Sequence, residues 1–499
     1  MGKEAADTRK FLTGIEALSR IKVIALTGAI GSGQTTIARY LEEHGASIAQ
    51  QFAPHKEHRF VHIKVSEVIH FWKGKCLPSE QELQNFCQEQ GIEGEDMNDL
   101  KKLLKEIEQK RKGKRRLAQA IGNALRKNRY IEKDPNKQMS SEPYWEALAE
   151  VVRRALEEKW DEIEKSEPNC FVWLVIDCVK NPGEIYWLRS RFPDCFVVGV
   201  YASPDKRFGR LQRKFNKSSN YTRDVFNEED KCDQGVGEDP WGQNVAGCFQ
   251  EADYIVNNDD PCETRTFLDI YMKPCFPVAA ITRLIKLILV PGREPPLEDE
   301  RLMNWAYAAS LQSRCIKRQV GAVVAKNGYA LAIGWNGAPP KCKECYEKSG
   351  KCYREGKMEK LKETLIKELN ENERAGLDLD DVVDIVKEHF RALDYCRALH
   401  AEENAILQTA LFGTVSLEGA VLYTTTFPCY LCAKKIAKVG IKKVVYCEPY
   451  PMEEAQKILK EAGVEYHVFQ GAKGMKFYRL FKIPAVDTLR RFSLGLPPE

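Results

Sequence analysis

Two short motifs in the second half of the chain contain the residue types that bind a metal ion and activate water. LHAEENAIL at 399–407 places His400 two residues before Glu402, and FPCYLCAKKI at 427–436 places Cys429 three residues before Cys432. Cysteines at this spacing, at the start of a predicted helix, face the same side. The helix N-terminus also favours their thiolates. His400 adds a neutral imidazole, so three side chains supply ligands and leave a fourth position open for water.

The chemistry of these ligands predicts zinc, because mixed thiolate and imidazole sets in tetrahedral geometry suit that metal. Bound zinc lowers the pKa of its water toward about 7. We expect Glu402 to remain outside the metal shell, to take the water proton, to pass it to a ring nitrogen and to help ammonia leave. A lone C-x-x-C would fit a redox or structural role equally well. H-x-E followed by P-C-x-x-C, however, is the signature of zinc-dependent nucleobase deaminases.

The strands that position these motifs are predicted from apolar runs at 320–325, 330–335, 420–426, 444–448 and 465–469. Between the last two runs, PMEEAQKILKEAG carries Ala455, Ile458 and Leu459 at helical spacing. A crossover helix makes the two strands that it joins parallel. The parallel arrangement is shared by deoxycytidylate, tRNA-adenosine, riboflavin-pathway and polynucleotide cytidine deaminases, whereas free cytidine deaminases have the antiparallel one.

Two segments of this half resemble the deoxycytidylate deaminase family, AYAASLQSRCIKRQVGAVVAKNGYALAIGWNGAPP at 306–340 and GIKKVVYCEPYP at 440–451. The resemblance implies a three-layer αβα cytidine-deaminase-like domain, which we place at 297–485. A charged helical insertion near 354–391 interrupts it. By resemblance, the Asn336 side chain would contact the deoxyribose of the substrate and Arg318 would lie near its phosphate. The alternative for Asn336 is a residue that only stabilises a turn.

Further cysteines surround this region, and the candidates for a second zinc site are Cys315, Cys342, Cys345, Cys352 and Cys396. Cys315 and Cys345 match positions that hold a structural zinc in phage-type deoxycytidylate deaminases. A four-cysteine site would connect the first helix of the domain to the loop after its second strand and to the entrance of the catalytic helix. The alternative is a group of unpaired, reduced thiols.

The first half of the chain contains the segment GAIGSGQTT at 28–36, directly after an apolar run. This stretch matches the phosphate-binding pattern G-x-x-x-x-G-K-[ST] except at the lysine position, where Gln34 stands. Backbone N–H groups of such a loop cradle phosphates, but Gln34 supplies no positive charge. We therefore predict that the loop holds a nucleotide without transferring its phosphate. The predicted nucleotide-binding residues are Gly28, Gly31, Ser32, Gly33, Gln34, Thr35 and Thr36.

The strands predicted around this loop indicate a parallel α/β sheet, with runs at 171–176, 195–201 and 253–256. Asp177 follows the first run, at the place of a magnesium-organising carboxylate. RRLAQAIGNALR from residue 115, DCVKNPGE from 177 and ADYIVNND from 252 resemble the nucleoside-monophosphate-kinase type of P-loop domain. The resemblance implies a domain at 20–290, ending at a Pro-rich joint, and arginines that handle phosphates. The candidates are Arg116, Arg126, Arg207 and Arg210. The alternative is that these residues are ordinary surface arginines.

The combination of a P-loop kinase-like half with a deoxycytidylate-deaminase half resembles the bacterial antiphage deoxycytidine nucleotide deaminases. That resemblance implies conversion of dCTP, dCMP or both to deoxyuridine nucleotides, and depletion of dCTP during infection. It also implies a regulatory nucleotide with Mg²⁺ at the P-loop and a homo-oligomer. In some members of the group a small RNA holds the enzyme silent.

The composition of the chain bears on the remaining alternatives. A net charge of only +4 over 499 residues disfavours a polynucleotide deaminase acting on RNA or single-stranded DNA, which needs a basic groove. A nucleotide-sensing regulator with an inactive deaminase fold is disfavoured by the intact Glu402. The N-terminus lacks a secretory signal, and no apolar run approaches the roughly 18 to 20 residues of a membrane helix. We therefore expect a cytoplasmic protein with reduced cysteines and no membrane partner.

Overall fold

The computed structural model describes residues 20–65, 80–89, 94–110, 120–124, 163, 165, 170–215, 221–235, 242–259, 276–368, 396–413, 416–449 and 453–482. These residues form two compact units. The first contains the described residues up to Pro295 and those from Gln470 onward, and the second spans Pro296–Phe469.

Strands and helices are numbered in chain order. The strands are β1 Ile21–Thr27, β2 His58–Lys64, β3 Phe171–Asp177, β4 Cys195–Tyr201, β5 Tyr254–Asn257, β6 Gly321–Lys326, β7 Tyr329–Trp335, β8 Val421–Thr426, β9 Lys443–Glu448, β10 Glu465–Val468 and β11 Gly471–Ala472. The helices are α1 Gln34–Phe52, α2 Glu80–Glu89, α3 Gly94–Lys110, α4 Pro182–Arg191, α5 Pro204–Phe215, α6 Arg223–Gln234, α7 Val245–Glu251, α8 Phe276–Leu289, α9 Glu298–Ser310, α10 Cys345–Ser349, α11 Tyr353–Glu368, α12 Ala401–Phe412, α13 Tyr430–Lys438, α14 Glu453–Glu461 and α15 Met475–Phe481.

The first unit is built on a six-stranded sheet with the order β11-β5-β4-β1-β3-β2. Strands β1 to β5 are mutually parallel, and β11 pairs antiparallel with β5. Nearly every residue of β3 and β4 is buried, as expected for parallel strands with both faces covered. The strands predicted at 171–176, 195–201 and 253–256 are present as β3, β4 and β5, whereas β2 and β11 were not predicted.

The core of the first unit explains why β2 joins this sheet despite its polar sequence, HRFVHIK. The Phe60 ring of β2 stacks on the Trp173 ring of β3, with centroids 4.9 Å apart. Gly45 of α1 also lies against the Phe60 ring, where any larger side chain would collide with it. Packing of aromatic side chains therefore holds α1 on the sheet, and α1 begins at the end of the phosphate-loop segment.

The second unit contains a five-stranded sheet with the order β10-β9-β8-β6-β7. Strands β8, β9 and β10 are parallel, and β6 pairs antiparallel with β7 and β8. Helix α14 connects β9 to β10, so the predicted crossover helix and the parallel arrangement of the last two strands are confirmed. This is the mixed α/β fold expected of a cytidine-deaminase-like domain.

Two glycines show that helices cover both faces of this sheet. A Cβ atom at Gly321 would lie 1.9 Å from the carbonyl oxygen of Ala306 in α9. A Cβ atom at Gly334 would lie 2.3 Å from the carbonyl oxygen of Ala401 in α12. Gly334 pairs with Ala322, the neighbour of Gly321, so the two glycines point to opposite faces. Helices α9 and α12 therefore lie on opposite sides of the sheet, in a three-layer arrangement.

The observed division of the chain differs from the predicted boundaries of 20–290 and 297–485. The structure divides the chain after Pro295, and the second unit ends at Phe469. The residues that follow return to the first unit, because Gly471–Ala472 pairs with β5 and Leu480 packs into the core of that unit. Of the predicted insertion at 354–391, α11 covers the first part, and residues 369–391 lie outside the described residues. Across the described ranges, no helix is long and apolar enough to cross a membrane.

Candidate active site

The predicted metal ligands meet in the second unit. The Nδ1 atom of His400 lies 3.2 Å from Sγ of Cys429 and 3.5 Å from Sγ of Cys432. In the part of the chain that the structure describes, this is the one group of three or more His, Cys, Asp or Glu residues whose ligand atoms all lie within 4.8 Å of one another. His400 and Cys429, the first ligands of the two motifs, are 29 residues apart in the sequence. The two motifs thus form a single set of donors.

Two helix starts place these ligands. His400 is the N-cap residue of α12, and Cys429 is the N-cap residue of α13. Cys432 lies in the first turn of α13, so both thiols are on the same side of one helix end. Because helix N-termini carry partial positive charge, they favour thiolate over thiol at this point. Both helices follow the pattern that the sequence predicts, a strand or loop ending directly at a ligand.

Glu402 lies in the first turn of α12 and is buried, with 4% of its surface exposed. The Cys432 thiol lies 3.7 Å from Oε2 of this carboxyl group. Burial raises the pKa of Glu402 above its ordinary value. A carboxyl group beside the ligands but outside their set of three has the position of a proton carrier rather than of a fourth ligand.

The three ligand groups are close enough to shift one another's pKa values. The hydrogen bond with Cys429 raises the pKa of His400 to about 9. The hydrogen bond from Cys432 lowers the pKa of Cys429 to about 4, and the same bond raises the pKa of Cys432 well above its ordinary value. Two sulfurs with one imidazole nitrogen are ligands that zinc prefers. A zinc ion held by these three residues would take the place of their protons.

The predicted substrate residues flank two strands of the second unit: Arg318 precedes β6 and Asn336 follows β7. The Asn336 amide donates to the carbonyl oxygen of Arg318 at 2.9 Å, and its oxygen accepts from the N–H of Val320 at 2.7 Å. Its structural role is therefore to hold the backbone of residues 318–320, and its contact with a deoxyribose stays a prediction. The Arg318 guanidinium pairs with the carboxylate of Glu448.

Sequence reasoning missed Glu448, the last residue of β9. Besides Arg318, this carboxylate accepts a hydrogen bond from the Thr426 hydroxyl at 3.2 Å. Its backbone oxygen accepts from the N–H of Phe427, two residues before Cys429, at 2.9 Å. Glu448 thus connects the Arg318 loop to the segment that enters the metal site. The sequence signal that could have identified Glu448 is an acidic residue at the end of a buried strand.

The second zinc site stays a prediction. None of Cys315, Cys342, Cys345, Cys352 and Cys396 belongs to a three-ligand group of the described residues. Cys342 is exposed. Cys396 is close enough to Cys315 and Cys345 for their charges to affect its pKa, which burial chiefly raises. The five residues lie on loops, on α10, before α11 and before α12.

The predicted phosphate loop lies in the first unit, between β1 and α1. Gly31 and Gly33 have φ angles of 76° and 100°, left-handed conformations that favour glycine. The Gln34 side chain donates to the carbonyl oxygen of Gly28. Thr35 is half-buried and Thr36 is exposed. The loop thus turns into the start of α1 through two left-handed glycines, and anion binding there stays a prediction.

The arginines predicted to handle phosphate divide into two pairs. Arg116 and Arg126 lie outside the described residues. Arg207 and Arg210 lie on α5 beside the loop, where Arg210 donates to the carbonyl oxygens of Ser32 at 3.4 Å and of Asn258 at 2.6 Å. Both α5 arginines therefore contact the loop through its backbone.

Comparisons with known proteins agree with the geometry of the second unit. Residues 296–448 match the family model of the cytidine and deoxycytidylate deaminase zinc-binding region. A deoxycytidylate deaminase of Enterobacteria phage T2 is 39% identical over 34% of this chain and 90% of its own length. One from Schizosaccharomyces pombe is 33% identical over 36% of this chain and 46% of its own length. A cyanophage S-TIM5 dCMP deaminase, solved in complex with dCMP and dUMP, is 29% identical over 36% of this chain and 100% of its own, with a TM-score of 0.25. Through its second unit, the chain belongs to the deoxycytidylate deaminase family.

Proposed function

We propose that the second unit is a zinc-dependent hydrolytic deaminase that converts deoxycytidine nucleotides, dCMP, dCTP or both, to deoxyuridine nucleotides and ammonia. The observation that carries this proposal is the buried Glu402 beside a complete set of three zinc donors. A structural zinc site would use four protein ligands and would need no buried carboxyl group next to them. Membership of the deoxycytidylate deaminase family supports cytosine as the base.

The residues of this chain have separate tasks in the proposed reaction. His400, Cys429 and Cys432 would hold the zinc, which when bound lowers the pKa of a water molecule toward about 7. The Glu402 carboxylate takes a proton from that water and gives it to the ring nitrogen N3 of cytosine while the water oxygen forms a bond to C4. It then carries the remaining proton of that oxygen to the amino group, which leaves as ammonia when the C4–N bond breaks.

Arg318 and Asn336 are the proposed contacts for the nucleotide part of the substrate. We assign the substrate phosphate to Arg318, because a guanidinium group binds phosphate oxygens in two parallel hydrogen bonds. We assign the deoxyribose to Asn336. The family relatives support a phosphate-bearing substrate, since the phage and yeast proteins named above are deoxycytidylate deaminases.

For the first unit we propose a nucleotide-binding, regulatory role with Mg²⁺ organised by Asp177. The strand order β5-β4-β1-β3-β2 supports a P-loop domain of the nucleoside-monophosphate-kinase type, with the loop at the carboxyl end of its central strand. Asp177 ends β3 and pairs in register with Leu26 of β1, beside the loop. Because Gln34 replaces the loop lysine, we propose binding without phosphoryl transfer.

The proposed biological role follows the group of antiphage deaminases that the whole chain resembles. We propose that the enzyme depletes dCTP during infection and that it works as a homo-oligomer in the cytoplasm. An inhibitory small RNA belongs to this proposal by analogy alone.

Purified full-length protein, incubated with dCMP, dCTP, CTP and a cytosine-containing oligonucleotide, tests the deaminase proposal. We expect uracil products from dCMP, dCTP or both, and none from the other two. Turnover of the oligonucleotide alone would instead assign the chain to the polynucleotide deaminases. The same reactions with ATP and Mg²⁺ added test the regulatory role of the first unit, which predicts a change of turnover number or KM.

A further inference from the structure

A buried lysine lies at the phosphate loop of the first unit although the loop itself has none. The Lys180 ammonium donates to the carbonyl oxygen of Gly28 at 3.0 Å. The Gln34 amide, at the position where the loop pattern has its lysine, donates to the same oxygen. Two donors on one acceptor atom are neighbours in space. The Lys180 ammonium therefore lies beside the place that the missing loop lysine would reach.

A strained turn brings Lys180 there. Cys178, the first residue after β3, has a φ angle of 85°, which a residue with a side chain rarely adopts. The N–H groups of Cys178 and Val179 both donate to the carbonyl oxygen of Leu26, at 3.2 and 2.9 Å. This turn bends the chain back toward the end of β1, where the loop begins. Left-handed residues at strand ends are common at functional sites, because the surrounding structure must compensate for their strain.

The carboxylate of Asp233 lies between Lys180 and the loop. Its two oxygens accept from the Lys180 ammonium, each at 2.8 Å, and one of them accepts from the backbone N–H of Ile30 at 2.8 Å. Only 1% of Asp233 is exposed. An anionic group is thus held between an ammonium ion and an N–H of the loop, which are the partners that a phosphate oxygen would have.

The helix that carries Asp233 neutralises a second cation of the same site. Asp230, three residues earlier on α6, accepts two hydrogen bonds from the Arg207 guanidinium, at 2.6 and 2.8 Å. Arg207 also donates to the carbonyl oxygen of Ile30 at 3.3 Å. Residues three apart lie on one face of a helix. One face of α6 therefore presents two carboxylates to the two buried cations at the loop.

Independent polar groups at the loop point to a ligand. The hydroxyl of Ser32 is completely buried and has no hydrogen-bond partner among the residues that the structure describes. The same holds for both carboxylate oxygens of Asp177, which is 1% exposed and whose Oδ2 atom lies 3.5 Å from Nε2 of His62. Buried polar atoms without partners are rare in folded proteins, and a bound anion with its metal ion would satisfy both groups.

We propose that Lys180 is the phosphate-binding cation of the first unit, in place of the lysine that the loop lacks, and that Asp233 occupies the phosphate position until a triphosphate displaces it. The proposal rests on nucleotide binding by the first unit. The ligand is a triphosphate chain, whether free or part of a nucleoside triphosphate, because Lys180, Arg207 and the loop N–H groups supply contacts for several phosphate groups.

The test measures the Kd of ATP and of inorganic triphosphate, each with Mg²⁺, by calorimetry on the full-length protein. Asp233→Asn removes the competing charge and keeps the shape of the side chain. We expect both ligands to bind about tenfold more tightly, because the ligand no longer has to break the charge-assisted contact between Asp233 and Lys180. The double variant Lys180→Gln/Asp233→Asn removes the cation without leaving a buried unpaired charge. We expect it to lose this gain and to bind more weakly than the wild type.

Exposed residues of α6 offer matched controls with the same changes of charge. Asp224→Asn and Lys231→Gln should leave both Kd values unchanged, and melting temperatures report whether each variant folds. If ATP binds but neither Asp233→Asn nor the double variant changes its Kd, the proposal for Lys180 is wrong and nucleotide binding by the first unit stands. If no variant binds either ligand, both proposals fail, while deamination by the second unit is measured separately.

Discussion

His400 and Cys429 are the N-cap residues of two different helices, and their ligand atoms lie 3.2 Å apart. The metal site therefore depends on where two helices begin. Helix α12 is held by its packing on β7, and α13 follows β8, so the sheet determines the distance between the two helix ends. Each ligand is positioned by a backbone that is itself fixed, which keeps the three donors together.

Loss of one thiolate tests the assignment of the metal. In Cys432→Ser we expect the bound zinc to be lost and turnover to fall by at least about a hundredfold. Mutation of a residue that only hydrogen-bonds to a metal ligand already lowers metal affinity or activity by up to about that factor. Zinc is measured by elemental analysis of the purified protein. Cys232→Ser is the control, because Cys232 lies on α6 of the first unit and is not among the candidate zinc ligands. Chelation should inactivate the wild type, and added zinc should restore it.

The same analysis bears on the second zinc site. Two zinc ions per wild-type chain, with one lost in Cys345→Ser, would support the four-cysteine site that the resemblance implied. One ion per chain, unchanged in that variant, would agree with unpaired, reduced thiols at these positions.

Glu402 should be needed for turnover but not for the metal. We expect Glu402→Gln to lower kcat by about 10²–10⁴, the usual contribution of a positioned acid or base. The zinc content should remain that of the wild type, because the three ligand atoms belong to other residues. Glu403→Gln makes the identical change one residue away, at a carboxylate that pairs with Lys435, and should remain active. Loss of zinc in Glu402→Gln would contradict the proposed role.

The metal site was predictable because each of its motifs is local. A ligand at the first residue of a helix can be recognised from a strand, a short loop and a helical pattern, and the same pattern located α14 and hence the parallel β9 and β10. Strand β2 was missed because HRFVHIK has no continuous apolar run, and only the contact of Phe60 with Trp173 explains its burial.

Other features depend on contacts between distant parts of the chain. Lys180 and Asp233 are separated by 53 residues, and neither has a neighbour in sequence that indicates the other. The return of the chain to the first unit after Phe469 depends on a two-residue strand, β11, which is too short to show a period in sequence. The role of Asn336 was only half predictable, because a turn residue and a substrate contact have the same local sequence.

Gly334 is expected to control the position of the catalytic helix. A methyl group there would lie 2.3 Å from the carbonyl oxygen of Ala401 and 2.4 Å from the N–H nitrogen of Ala405, so α12 must move away from β7. We expect Gly334→Ala to destabilise the protein by about 1–3 kcal/mol, as overpacking usually does. It should also weaken zinc binding, since His400 directly precedes α12. Thermal melting and zinc content measure the two effects.

Gly356→Ala provides the matched control for that change, because a Cβ atom at Gly356 in α11 meets nothing within 4 Å. Alanine is the better residue in a helix interior, by about 0.5–1 kcal/mol. The control should therefore be neutral or stabilising. Equal zinc content in the Gly334→Ala and Gly356→Ala variants would show that α12 can shift without disturbing the ligands.

Arg318 is expected to distinguish nucleotide from nucleoside. If its guanidinium binds the substrate phosphate, Arg318→Gln should raise the KM for dCMP about tenfold or more, as loss of a charge-assisted hydrogen bond predicts, and leave kcat/KM for deoxycytidine nearly unchanged. Arg314→Gln, at an exposed arginine of the same loop, should affect neither substrate. Asn336→Ala should impair both substrates and lower the melting temperature, because the buried amide holds the backbone at Arg318 and Val320. Equal losses for dCMP and deoxycytidine in Arg318→Gln would instead assign Arg318, with its partner Glu448, to the framework of the site.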